Sequence, residues 1–219
     1  MPPPTTPSEP RLPASLEALS ADDPGLCEPH ELAGVELHGA RWAGLGASGL
    51  RIDEARLWGC DLSGAALADP KLTDAVLDEP NLANAVIRGG SLTRVLVSGG
   101  RLTGSQWAET RMNDTVWRNA AADLSAFRLS ELVRVTFDSC NLREADFTGA
   151  SCSWVRFHDC NLTGAVFSKA RFVNSELRRC RLDAVEGVAG LAGTSMEFGA
   201  VLGLAPQLAD ALGIHLLDD

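Results

Sequence analysis

The sequence predicts an all-β solenoid, a four-sided β-helix of about eight coils with a short α-helical C-terminal cap, and three observations carry that expectation. From Leu32 to Leu182 every fifth position holds a large apolar residue at 28 of 31 sites, the exceptions being Ala47, Ala122 and Cys152. Two residues before each of these, 28 of 31 sites hold Ala, Cys, Gly, Ser, Thr, Val or Pro, the exceptions being His30, Leu45 and Leu50. A slower period lies on top: GCDL at 59–62, EPNL at 79–82, GGRL at 99–102, SCNL at 139–142, DCNL at 159–162 and RCRL at 179–182 are spaced in multiples of twenty residues. A helix repeats its buried face about every 3.6 residues and a strand every 2, so a period of five fits neither element. Four five-residue units that return the chain to the same face, coil upon coil, fit both periods.

Each unit must bend the chain, and its last residue is Gly in eleven of 31 units and Asn or Asp in seven more. These residues tolerate the left-handed backbone of a tight turn. The third residue of each unit then points inward beside the small first residue, so that Leu142, Phe147, Phe157, Leu162 and Phe167 become core. Cys60, Cys140, Cys160 and Cys180 fall on small inward positions and Cys152 on a large one, where cysteine serves as a small buried hydrophobe. Ala47 and the run AAADL at 120–124 lose the large residue, and a bulge or slip is expected there. Pro70 and Pro80 each remove a backbone donor, but the phase of five continues across both, so distortions without long loops are expected.

The ends read differently. Residues 1–13 hold six of the eleven prolines and are expected to form a disordered tail, and residues 14–29 an N-terminal cap in which SLEAL at 15–19 forms a short helix. The repeat covers 30–184, and residues 185–219 form a helical cap. There TSME at 194–197 matches a capping box, while Pro206 opens QLADALG, a short helix that Gly213 stops. Open solenoid ends expose unpaired backbone, and an apolar helix at such an end can pair with its own copy. A homodimer through Leu204, Leu208, Leu212 and Ile214 is therefore expected.

Units such as CNLRE, ADFTG and CNLTG, with the similar NLANA at 81–85, resemble the A(D/N)Lxx units of the pentapeptide-repeat family over about residues 30–184. The resemblance implies a right-handed quadrilateral β-helix; the residue spacings given below are the reason no catalytic centre, metal or cofactor is expected. Quinolone-resistance members of the family are thought to imitate duplex DNA and to occupy the DNA-binding saddle of a type II topoisomerase such as gyrase. The resemblance thus implies a topoisomerase as partner, and some such members join two rods end to end through an apolar C-terminal segment.

Charge qualifies that implication. The formal net charge is −10 and the pI about 4.8, which speaks against direct nucleic-acid or anionic-membrane binding. Yet residues 30–183 carry 19 acidic against 18 basic side chains, so the excess acid lies in the ends. Duplex DNA carries one charge per ~1.7 Å, and a nearly neutral rod is a poor imitation of it. The competing reading is a scaffold with a mixed-charge surface. The acidic run Asp69, Asp74, Asp78 and Glu79 is the candidate contact for a basic saddle, and outward Trp58 and Trp154 are candidate anchors for any protein partner. His30, His38, His158 and His215 show no metal-ligand or nucleophile-base spacing, and the glycines follow the turns without a phosphate-loop pattern. With no signal peptide or membrane-length apolar run, a cytoplasmic protein is expected.

Overall fold

Thirty of the 31 third positions are buried, and only Ala47 is partly exposed. A computed structural model describes residues 6–20 and 30–215. In it Leu32, Ile52, Leu72, Leu92, Met112, Leu132, Cys152 and Phe172 stand in one column of parallel backbone pairs. Each step along the column is twenty residues, so the chain is a parallel β-solenoid with four units per coil. The coils are counted here from one (30–49) to eight (170–184).

The corners explain why the period is five. Where a turn is tight, the third residue's carbonyl accepts from the amide three residues on, as in Leu45 N–H to Trp42 at 3.0 Å, Ala65 to Leu62 at 3.0 Å and Ala145 to Leu142 at 3.1 Å. The fourth residue of that turn opens the next unit, and the residue before it has positive φ, the geometry of a type II turn. The solenoid imposes this even where the side chain resists it: Leu124 at φ 59, Leu129 at φ 57 and Trp154 at φ 60. Between units one and two of the middle coils the strand instead runs through the corner without a break. Lys71–Asp78, Ser91–Ser98, Arg111–Arg118 and Glu131–Asp138 are eight-residue strands in register.

The expected slips do not occur. Ala47 pairs with Leu67, Ala121 bridges both Arg101 and Asn141, and Ala122 is buried, because neighbouring coils hold the register by backbone pairing whatever the side chain's size. Pro70 and Pro80 also keep register, their carbonyls accepting from Ser91 and Arg101 at 2.8 Å each. The coil above accommodates them with paired glycines. Gly89 and Gly90, and likewise Gly99 and Gly100, have two consecutive positive φ values.

Aromatic side chains fill the second half of the interior. Phe127, Phe147 and Phe167 stack face to face, with centroids 5.0 and 5.3 Å apart, and Phe137 and Phe157 form a second stack at 5.0 Å that meets the first edge-on. Cys140, Cys160 and Cys180 lie above one another on adjacent coils, their Sγ atoms against the carbonyls of Trp117, Phe137 and Phe157. Burial pushes the thiol of Cys152 up to about 12, as expected of a small buried hydrophobe.

Both ends depart from expectation. SLEAL does not form a helix: Glu17–Leu19 is a strand paired in parallel with Val35–Leu37. An unpaired sheet edge offers this segment hydrogen bonds, while a helix of five residues would be left with an unfavourable nucleus and few bonds. Residues 6–13, expected as unstructured tail, are laid along the solenoid by contacts described below; residues 1–5 and 21–29 lie outside the described residues. At the other end TSME is not a capping box. Thr194–Met196 is a strand on Ser175–Leu177, and Glu197 precedes the first helix. The expected helical cap follows as two short helices, α1 (Phe198–Gly203) and α2 (Ala205–Ala211), with Pro206 in the first turn of α2. Among the described residues no helix is long and apolar enough to cross a membrane.

Candidate protein-interaction surface

Stacking at twenty-residue intervals sets like positions of neighbouring coils side by side, so an acid and an arginine twenty apart become partners. Asp74 meets Arg94 through two bonds of 2.6 Å, Asp114 meets Arg134 through two of 2.7 Å, and Asp159 meets Arg179 at 2.6 and 2.7 Å. Asp138 faces Arg118 and Glu131 faces Arg111 more loosely, at 3.5 and 3.8 Å. Glu176 gathers Arg156, His158 and Arg178 within 3.4 Å. Much of the rod's acid is therefore neutralised by the rod itself.

The continuous corner carries Asp74, Arg94, Asp114 and Arg134 in one column. Asp74 and Asp114 are only 6% and 9% exposed, although their positions face outward. The N-terminal segment accounts for it: Arg11 N–H donates to Asp74 Oδ1 at 2.8 Å and Ser8 N–H to Asp114 Oδ1 at 3.1 Å. The Arg94 guanidinium holds the Asp74 carboxyl below its ordinary range, and Arg134 does the same for Asp114; the two backbone donors add to the effect. A depressed folded-state pKa gives stabilisation that is complete above the unfolded value and lost as pH falls through the folded one. The melting temperature should thus hold between neutral pH and about 5 and drop below about pH 4, more steeply in the wild type than in an Asp74→Asn/Asp114→Asn variant. Parallel melting curves against pH would show that these carboxylates add nothing.

The other candidate residues are dispersed. Asp69 and Glu79 are exposed and Asp78 is half-buried, but Asp69 and Glu79 sit at corners separated by two faces, with buried Asp74 between. Glu79 Oε2 accepts from Gly100 N–H at 3.1 Å. The acidic run therefore does not form one patch, because each five-residue step turns the chain through a corner. Trp58 is 50% exposed and stacks on His38, with centroids 6.3 Å apart; Trp154 is half-buried. At the C-terminal end Leu204 is buried within the core and so is not offered to a second copy as expected, while Leu208 is half-buried against that core. Among the described residues the large exposed apolar side chains of the cap are Phe198, Val201, Leu202, Leu212 and Ile214. Among the described residues no three metal-ligating side chains converge.

A parallel solenoid with four five-residue units per coil defines the class of protein. A family model described as pentapeptide repeat region matches residues 110–186, and one of eight pentapeptide repeats matches residues 60–99. Together they span more than half of the chain, which belongs to the pentapeptide-repeat family. Solved structures similar to it include HetL, a pentapeptide repeat protein involved in heterocyst differentiation regulation from the cyanobacterium Nostoc, at 18% identity over 78% of this chain and 91% of that one, with a TM-score of 0.43. QnrB1, a plasmid-mediated fluoroquinolone resistance protein, is 18% identical over 93% of this chain and all of that one, with a TM-score of 0.35. A pentapeptide repeat protein of the Arabidopsis thaliana thylakoid lumen is 22% identical over 51% and 63% of the respective chains, with a TM-score of 0.25. No curated protein sequence matches significantly.

Proposed function

We propose that the chain is a non-enzymatic, protein-binding rod whose outer faces present a mixed-charge surface. The observation that supports this reading best is the cross-coil pairing of acids with arginines, Asp74 with Arg94 and Asp159 with Arg179 among them. Such a surface gives a partner fixed, alternating charges on a lattice of about 4.8 Å, which favours complementarity over bulk attraction. It is a cytoplasmic scaffold in this reading.

The family resemblance makes a type II topoisomerase the first partner to test, with the rod imitating duplex DNA. The paired charges count against it, and so does the separation of Asp69 from Asp78 and Glu79. Purified protein titrated into gyrase supercoiling, with and without a quinolone, decides between the two. Inhibition that weakens with salt and is lost in Asp78→Asn/Glu79→Gln would support the topoisomerase reading. No inhibition at tens of micromolar would remove it and leave the scaffold.

Assembly belongs to the same proposal. Phe198 at 76% and Leu212 at 75% exposure give the cap an apolar surface that a second copy would cover, making a homodimer of two rods joined end to end. Light scattering should report twice the 23.2 kDa chain mass for the wild type and the single mass for Phe198→Glu/Leu212→Glu. A wild-type monomer at micromolar concentration would rule out the dimer.

A further inference from the structure

We infer that the corner column of Asp74 and Asp114 is a docking site for a polyproline-type peptide, that the chain's own N-terminal segment is its resident ligand, and that a protein partner enters by offering a proline-rich segment of the same spacing. The argument begins with the sequence PSEPRLP at 7–13, whose prolines recur every third residue. Proline fixes its own φ near −65° and biases the residue before it toward extended backbone, so Thr6, Glu9 and Leu12 are restricted as well. Such a segment favours the polyproline II helix, with three residues per turn and a rise of about 3.1 Å per residue.

That rise matches the solenoid. Ser8 and Arg11, each directly after a proline, are three residues apart, which in this conformation is about 9.3 Å. Asp74 and Asp114 are two coils apart, about 9.6 Å at the usual strand spacing. The amides of Ser8 and Arg11 donate to the two carboxylates at 3.1 and 2.8 Å. One turn of the peptide therefore spans two coils, and the donors fall on the acceptors without stretching either partner.

The acceptors are built for the purpose. Each carboxylate is oriented by Nε and Nη2 of an arginine one coil further on, and the Asp74 and Asp114 side chains are 8% and 12% exposed. Arginine ligation leaves Oδ1 negatively charged and fixed, which strengthens the bond from a backbone amide. Burial on both sides agrees with a seated segment: Val76, at an outward position two residues from Asp74, is only 5% exposed, and Pro7, Pro10 and Leu12 are half-buried. The column through Asp69 and Glu109 also places acids two coils apart, but Gly89 stands between them where Arg94 stands here. Recognition rests on the spacing of backbone amides, so the ligand class is an extended proline-interrupted segment with a free N–H at every third residue.

The test uses the full chain. Ser8→Pro/Arg11→Pro removes both donors while keeping the extended preference, and so empties the site. A fluorescein-labelled peptide TTPSEPRLPA should bind this variant roughly tenfold or more tightly than the wild type, whose tethered segment competes at high effective concentration. The same peptide N-methylated at the positions of Ser8 and Arg11 should not bind. Equal binding to both proteins, or undiminished binding of the N-methylated peptide, would overturn the proposal. Independently of any variant, the Ser8 and Arg11 amides of the wild type should be protected from hydrogen exchange and lose that protection in excess free peptide; amides that exchange freely in the wild type would overturn it equally.

Discussion

Phe147→Asp abolishes soluble folding: that is the largest effect expected of any single substitution in the rod. Phe147 is fully buried, stacked on Phe127 and Phe167 with interplanar angles of 8° and met edge-on by Phe137 and Phe157. A carboxylate placed among four rings has no donor, and burying it unpaired costs more than the roughly 5–15 kcal/mol by which a domain of this size is stable. Phe147→Ala only opens a cavity, with an expected loss of about 3–5 kcal/mol, and should remain folded. Soluble yield and thermal unfolding distinguish the two variants. A soluble Phe147→Asp protein melting with the wild type would place this side chain outside the core.

The second large effect is expected where a side chain is absent. Gly100 has φ 82 directly after Gly99 at φ 66, and a Cβ built on it falls within 3.0 Å of the Pro80 carbonyl oxygen, nitrogen and Cδ. An L-residue in the left-handed region costs about 1–2 kcal/mol, and here the obstacle is mostly backbone, which cannot rotate away. Gly100→Ala should lose about 3 kcal/mol or more in denaturant unfolding, against about 1 kcal/mol for Gly44→Ala, where φ is 70 but no atom lies within 4 Å of the added carbon. Equal losses at the two sites would mean that the proline below exerts no steric demand. The pairing of Gly100 with Pro80, and of Gly90 with Pro70, shows that a residue in this fold is constrained by the one twenty before it.

That dependence is also why the sequence was so informative about the interior. Inward residues obey two constraints at once, a period of five from the corners and of twenty from stacking, and each Leu or Phe repeats the signal. The outward acid–arginine pairs obey only the period of twenty, and contacts made by the N-terminal segment obey neither period. The spacing of twenty marks Arg94 as the partner of Asp74, but nothing in the sequence shows that the Arg11 amide covers it, because a bond to a backbone N–H leaves no mark on residue type. The prolines at 7, 10 and 13 suggested disorder by composition, although their spacing already held the ruler that fits two coils. At the C-terminus TSME satisfied a helix rule and lost to tertiary pairing. The signal that would have found the strand is Thr194 stacking on Ser175, one residue short of a full coil, after the short 3-10 turn Val188–Leu191 shortened the path. Leu204 and Leu208 follow helical spacing as Leu212 does, but periodicity alone does not tell which end of a seven-residue helix meets the core.

The N-terminal segment also alters how the rod comes apart. In a solenoid each coil touches only its neighbours, so stability is close to a sum of nearest-neighbour terms and either end can fray one coil at a time. A strand paired with coil one and two bonds made further along, at coils three and five, join parts of the rod that otherwise have no contact. Losing the first coil then loosens the grip on the third and fifth. Coils one to five should therefore open as a block in hydrogen exchange, while coils six to eight, beyond the reach of the segment, should keep the graded, coil-by-coil opening of an ordinary repeat.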